Sequence, residues 1–327
     1  MMKVISTKMM MKVVATQQKS VCSFQFPIIV IRKYSTSKSS LVQLSEDIEH
    51  VYNDLIRNTN YSLSQSEFDV LKKKILLGKY ILSPLRFKGV KKKNLRQFLL
   101  SIIDDCPDGM YFPDNSNPDL FIVIMPVKED NLVLMGLSRL LYRLSKGSLP
   151  KENYRLANEE EDFYSSIQKM GTVDRLYHID ISHTYLTAFQ VLNTVKLYVN
   201  ELTVCYTLIK SFLNLPYTNS KGSLIYNNRL PLAGEITSVL KNLFYINIVD
   251  MELKRVLDGI AYSRYMSTII IATKAGDEDI FNEDIAYSYM DYLGMDARIK
   301  SIGPGDDPIQ CGNKMVVLNN DGKVFVY

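Results

Sequence analysis

The chain has 327 residues, 46% of them hydrophobic and 23% charged, with a formal charge of +4. That composition belongs to a globular protein with room for a sizeable core, and no apolar run approaches the roughly 18 residues that would mark a membrane-spanning helix. Four cysteines without a C-x-x-C pair and three histidines without H-E-x-x-H spacing exclude a disulfide framework and the familiar zinc patterns, and no cofactor is read from the residues.

The first acidic residue is Glu46, whereas Lys3, Lys8, Lys12, Lys19, Arg32, Lys33 and Lys38 precede it among many hydroxyls. Basic, hydroxyl-rich and acid-poor is the composition of a mitochondrial transit peptide. Arg32-Lys33-Tyr34-Ser35 resembles a matrix-protease cleavage pattern, so residues 1–34 are expected to be an import segment and the mature protein to reside in the mitochondrial matrix. Removing six basic groups and no acids takes the formal charge from +4 to −2. Any grip on a polyanion must then be local.

Residues 35–45 read as polar and flexible, and Glu46–Asn58 as a helix; together 35–63 form an N-terminal extension. Ser64 and Glu67 have capping-box spacing ahead of Phe68, Leu71 and Ile75, which share one helical face, with Gly78 placed to end the helix. Residues 71–96 then carry Lys72, Lys73, Lys74, Lys79, Arg86, Lys88, Lys91, Lys92, Lys93 and Arg96 and no acid. Ten positive charges with Tyr80 and Phe87 between them suit a phosphate backbone, and an ordinary solvated face would intersperse acids. The rest of the mature chain carries about −12 by subtraction, which would orient a polyanion onto this stretch.

Pro107–Pro118 reads as a loop, Leu120–Met125 as a buried strand, and Asn131–Lys146 as a helix with Leu134, Leu137, Leu141 and Leu144 in register. Pro150–Asp162 is acidic and expected to be exposed. Arg175–Ile181 reads as a strand, Leu186–Leu213 as largely helical, Asn214–Asn228 as a polar connection, Glu235–Leu257 as helical and Thr268–Thr273 as a strand. Asn282–Leu293 reads as a helix stopped by Gly294. Asn319-Asn320-Asp321-Gly322 between Met315–Leu318 and Val324–Tyr327 marks a hairpin. Alternating strands and helices place the fold in the α+β or the α/β class.

Several segments occur in a familiar order. Tyr80-Ile81-Leu82-Ser83-Pro84-Leu85-Arg86, Met125-Pro126-Val127-Lys128-Glu129-Asp130-Asn131 and His178-Ile179-Asp180-Ile181-Ser182-His183-Thr184-Tyr185 are followed by Pro231-Leu232-Ala233-Gly234-Glu235 leading to Asn242, and by Arg264-Tyr265-Met266-Ser267-Thr268-Ile269. Together these resemble the fingers and palm of group II intron-type mitochondrial reverse transcriptases/maturases, over about residues 64–327. The resemblance implies a basic fingers-like region at 64–165, a palm-like antiparallel sheet packed with helices at 166–327, and no thumb domain.

It also implies where polymerase chemistry would sit, and that it is lost. Two-metal phosphoryl transfer needs converging carboxylates. The family supplies one Asp from the first palm strand and two from a Tyr-Ala-Asp-Asp turn. Here Asp180 holds the first position, while Ser267 and Thr268 hold the others. Asp180 itself reads as a strand-end carboxylate bonding to nearby backbone. Nothing in the sequence brings Asp174, Asp250 or Asp258 to it, and His178 with His183 reads as structural or surface. Gly303-Pro304-Gly305-Asp306-Asp307 reads as a turn, since its acids would repel phosphate.

The expected function is non-catalytic binding of mitochondrial RNA (messenger, intron or ribosomal), in maturation, splicing support or translation control, with the mitochondrial ribosome or RNA-processing proteins as further partners. The alternative is a scaffold subunit of a mitochondrial complex, without RNA recognition of its own.

Overall fold

The computed structural model describes residues 37–58, 61–94, 111–114, 117–146, 153–154, 160–181, 186–218, 224–225, 230–231, 234–257, 259–277 and 279–327. In chain order these form α1 (Ser37–Asn58), α2 (Gln65–Leu76), β1 (Leu85–Lys91), β2 (Tyr111–Asp114), β3 (Asn117–Met125), α3 (Lys128–Lys146), β4 (Asn153–Tyr154), α4 (Glu160–Gln168) and β5 (Arg175–Ile181). There follow α5 (Ala188–Val195), α6 (Val204–Leu213), β6 (Tyr217–Thr218), β7 (Leu224–Ile225), α7 (Glu235–Tyr245), a π-helical turn (Ile246–Asp250) and α8 (Met251–Val256). The last elements are β8 (Ala261–Tyr265), β9 (Thr268–Thr273), α9 (Glu283–Tyr292), β10 (Ala297–Ile302), β11 (Ile309–Cys311), β12 (Lys314–Leu318) and β13 (Val324–Val326).

Helix α1 begins at Ser37, nine residues before the expected start, so residues 37–45 of the segment expected to be flexible are helical. The cause is tertiary. Leu44, Ile48, Val51 and Tyr52 fall at helical spacing and are all buried, chiefly against α3. A Cβ at Gly136 of α3 would lie 2.4 Å from Cγ1 of Ile48, so glycine is what lets the two helices approach this closely. Tyr52 stacks on Phe68 of α2 at 4.0 Å, and Arg143 and Arg139 reach back to Asp47 and Asp54 at 2.6 and 3.1 Å. The capping box of α2 forms as its spacing implies. Glu67 accepts from the Ser64 amide at 2.8 Å, and Phe68, Leu71 and Ile75 are buried.

The first sheet has the order β2-β3-β1-β6-β7, antiparallel except for the β1/β6 pair. Tyr111–Asp114 pairs with β3, so part of the expected loop 107–118 is strand; residues 107–110 lie outside the described set. Likewise Tyr217–Thr218 and Leu224–Ile225 form short strands within the expected polar connection. The acidic stretch 150–162 leads into α4, whose Phe163, Tyr164 and Ile167 are buried although its first turn is Glu160-Glu161-Asp162. Glu161 and Asp162 are exposed, as expected of this stretch, and acids at a helix N-terminus favour the helix dipole, so they open α4. The helical span 186–213 is broken into α5 and α6 by residues 196–203.

The second sheet has the order β10-β5-β9-β8-β4. Its four long strands are antiparallel, and β4 runs parallel to β8. Alternation along β5 separates two cores. Tyr177, Ile179 and Ile181 join the larger core with the helices, while Leu176 joins a smaller core with α4 and the three-stranded sheet β11-β12-β13. The terminal hairpin closes on Asn319, whose side chain accepts from the amides of Asp321 and Lys323, and it docks on the start of β5. A Cβ at Gly322 would lie 2.5 Å from the Val173 carbonyl, and its φ is +74°. Close approach and left-handed backbone both require glycine there.

Candidate functional site

The site builds around the turn between β8 and β9. Tyr265 pairs with Thr268, leaving Met266 and Ser267 as a two-residue loop in which Met266 takes φ +52°. Two backbone anchors hold the loop. The Ile181 amide donates to the Ser267 carbonyl at 2.9 Å, and the Arg264 guanidinium donates to the Met266 carbonyl at 2.5 Å.

Arg264 is fully buried, and so is Asp250, with which it forms a two-pronged ion pair of 2.7 and 2.8 Å. Its third nitrogen donates to Asn242 at 2.9 Å, and its guanidinium carbon lies 5.7 Å from the Tyr245 ring centre. The π-helical turn supplies the extra residue per turn that precedes α8 and ends at Asp250. Asn242, Asp250 and Arg264 come from three segments, and the sequence marks only their order. Alternation on β8 explains the placement. Tyr262 lies in the large core, so Arg264 shares that face, while Tyr265 packs on the small core. Asp250 is therefore taken up by Arg264 on the helix-covered side of the sheet. Asp174 is at the far end of β5, where its amide bonds to Thr273, and Asp258 lies outside the described residues.

The opposite face carries the positions singled out in the sequence. Strand register sets Asp180 directly opposite Thr268 on one side and Arg298 on the other. The next row sets His178 between Ile270 and Lys300. The row beyond, Leu176 with Ala272 and Ile302, is covered by the small core. Asp180, Ser267 and Thr268 are thus brought to one end of the sheet, partly exposed. Asp180 is one residue from the end of β5, and the backbone of 182–185, to which its expected bond would run, lies outside the described residues.

Burial holds the His178 imidazole below its ordinary value, with Lys300 adding to that effect and Asp180 opposing it. The Cys311 thiol is pushed up to about 12, chiefly by burial, with Glu160 and Asp180 contributing. Among the described residues no cluster of three or more His, Cys, Asp or Glu side chains could hold a metal ion. His183 lies outside them.

The basic stretch is divided by the fold. Lys73, Lys74 and Lys79 are exposed at and beyond the end of α2, and Arg86 is exposed at the start of β1. Lys91, Lys92 and Lys93 are exposed at the other end of β1. That strand puts Lys91 roughly 20 Å from Leu85 at about 3.3 Å per residue. Lys72 departs from the expected set. It is half-buried and paired with Glu49 of α1 at 2.5 Å, because α1 packs beside α2. The Lys88 side chain and Arg96 lie outside the described residues.

Two of the recurring segments are joined physically. The Tyr80 hydroxyl donates to one oxygen of the buried Asp130 carboxylate at 2.5 Å, and the Ser83 amide donates to the other at 2.8 Å. Burial raises the Asp130 carboxyl above its ordinary value, while these two hydrogen bonds pull the other way. Sequence reasoning missed Arg298 and Lys300. Their strand shows a weak signal, Ile299 between the two cations and Ile302 beyond them, and a strand at the edge of a sheet needs no more.

No family model matches the chain. It is 25% identical over 294 residues, covering 86% of this chain and 85% of the other, to a Zea mays protein described as an uncharacterised 39 kDa protein in mitochondrial S-1 and S-2 DNA. Among solved structures it is similar to apo telomerase from Candida tropicalis, with a TM-score of 0.51 and 9% identity over 89% of this chain. A Candida albicans telomerase solved with a fragment of telomeric RNA gives a TM-score of 0.47 at 11% identity over 84% of this chain. The chain spans 66% and 55% of those two telomerase chains. With its helix-backed antiparallel sheet and its hairpin turn set beside β5, the chain resembles in fold the apo telomerase from Candida tropicalis.

Proposed function

We propose that this protein is a non-catalytic, RNA-binding derivative of a group II intron-type reverse transcriptase/maturase, working in mitochondria on messenger, intron or ribosomal RNA. The observation that carries the loss of polymerase chemistry is the register of Asp180 opposite Thr268, with Ser267 in the adjoining turn. One carboxylate stands where two-metal transfer needs a converging set, and a neutral hydroxyl does not offset the charge of a dehydrated divalent ion. Another carboxylate, Asp250, is committed to Arg264 on the helix-covered side of the sheet.

RNA binding is supported by the seven exposed cations Lys73, Lys74, Lys79, Arg86, Lys91, Lys92 and Lys93, none of which is ion-paired among the described residues. They flank β1 at both ends, as a polymer held at several phosphates requires and a single small anion does not. The first sheet and its flanking helices serve as fingers and the second sheet as palm. The mitochondrial setting is supported by the acid-free first 45 residues and by the Zea mays relative's description.

The test is ultraviolet crosslinking of the tagged protein inside mitochondria, followed by sequencing of attached RNA. Enrichment of defined transcripts over an untagged control, reduced by replacing Lys91, Lys92 and Lys93 with Ala, is the expected result. Crosslinking no better than the control would overturn the reading in favour of a scaffold without RNA contact.

A further inference from the structure

The geometry points to a second polynucleotide contact on the face of the second sheet, where Arg298 and Lys300 hold the phosphodiester backbone of single-stranded RNA without any metal ion. The inference rests on the RNA-binding reading above and adds a site that the basic stretch 71–96 does not include.

Alternation along β10 carries the argument. Ile299 is buried in the large core and Ser301 bonds to Glu283 of α9 at 2.5 Å, so odd positions face the helices. Ile302 is buried in the small core, so even positions face the other way. Arg298 and Lys300 therefore stand on the same face as His178, Asp180 and Thr268, and both are exposed. They are two residues apart on one strand, about 6.6 Å, which sets two cations side by side along a single line.

Charge decides what such a line would hold. In a two-metal site the divalent ions offset both the protein carboxylates and the incoming phosphates. Here the register leaves one carboxylate, and the strand beside it sets a guanidinium directly across from it. Arg298 can offset Asp180 with a fixed charge that needs no metal, and Lys300 remains in excess in the next row beside the His178 imidazole, whose charged form burial disfavours. Guanidinium and ammonium both donate to phosphate oxygens, the former through a planar fork. Hydroxyls of Thr268 and Ser267 border the same row and add uncharged donors. The buried rows beyond, with Leu176, Ala272 and Ile302, close one end of the face, so a strand of RNA would cross the open end.

The experiment measures binding of a fluorescently labelled single-stranded oligoribonucleotide to the full chain, as a function of salt, with magnesium or with EDTA. The wild type is expected to bind equally well in both. Arg298→Gln with Lys300→Gln removes two phosphate contacts, so the slope of log K against log salt should fall by about 1.4. Taken from a 1 M reference to about 0.15 M salt, that slope corresponds to roughly tenfold weaker binding. Asp180→Asn should tighten binding by removing a repelling charge. Both cations are exposed, so the double variant is expected to keep the wild-type melting temperature, which separates lost contact from lost fold. Binding that requires magnesium, or an unchanged affinity and slope in the folded double variant, would overturn the inference while leaving RNA binding by the basic stretch intact. Absence of binding by the wild type would instead remove both readings.

Discussion

Replacing Arg264 with Met tests the account of the turn that carries Ser267 and Thr268. The guanidinium and the Asp250 carboxylate are both 0% exposed and meet through two parallel bonds of 2.7 and 2.8 Å. Removing the cation takes the two-pronged guanidinium partner from a buried carboxylate and deprives the Met266 carbonyl and the Asn242 side-chain oxygen of that donor. Breaking one side of a buried pair costs about 3–5 kcal/mol. Replacing both sides by apolar groups of similar volume removes the stranded charge, so Arg264→Met with Asp250→Leu should cost far less than the sum of the two single changes. The assay is guanidinium denaturation of all four chains, read as a double-mutant cycle. A coupling of at least about 2 kcal/mol is expected for groups in direct contact. Additive losses, or a single-variant loss under about 1 kcal/mol, would refute the claim that this pair anchors the turn.

Gly136→Ala should destabilise by about 1–3 kcal/mol through overpacking, because the new Cβ meets Ile48; in an Ile48→Ala background the same change should become neutral or stabilising, as seen by thermal melts. Met266→Gly should raise stability by about 0.5–1 kcal/mol, since φ +52° is costly for a side-chain-bearing residue and free for glycine; a lower melting temperature would show that the Met266 side chain contributes more by packing. The Asp130 carboxyl is raised by burial in the folded state. Its contribution is then fully present below its unfolded value, about 3.9, and is lost as pH rises through the folded value. The stability advantage of wild type over Asp130→Asn should therefore shrink from about pH 4 upward, measured by denaturation at a series of pH values. An advantage that grows with pH would contradict that assignment.

Much of the local structure was legible. The capping box at Ser64, the helix stop at Gly294 and the Asn319–Gly322 turn each depend on residues within a few positions of one another. Strand β5 was read with its observed bounds because its apolar positions alternate. Less legible were β8, β10 and β4. Their residues look ordinary alone and become strands only because β5, β9 and, for β4, β8 offer edges to pair with. The start of α1 was missed because Ser37–Ser45 is polar in composition, and the few apolar residues that matter count only when α3 lies against them.

The candidate site divides the same way. Composition by itself determined the acid-free basic stretch and the uncharged identities of Ser267 and Thr268, because charge and residue identity need no fold to be read. Pairing belonged to tertiary structure. It set Thr268 and Arg298 on either side of Asp180, spent Lys72 on Glu49 and Asp250 on Arg264, and split the remaining cations between the two ends of β1. The physical reason is distance. A side chain's charge is fixed by its own chemistry, but its partner is whatever the packed chain brings within a few ångströms, and the groups that meet here come from segments up to 118 residues apart, as Asp180 and Arg298 do across β5 and β10.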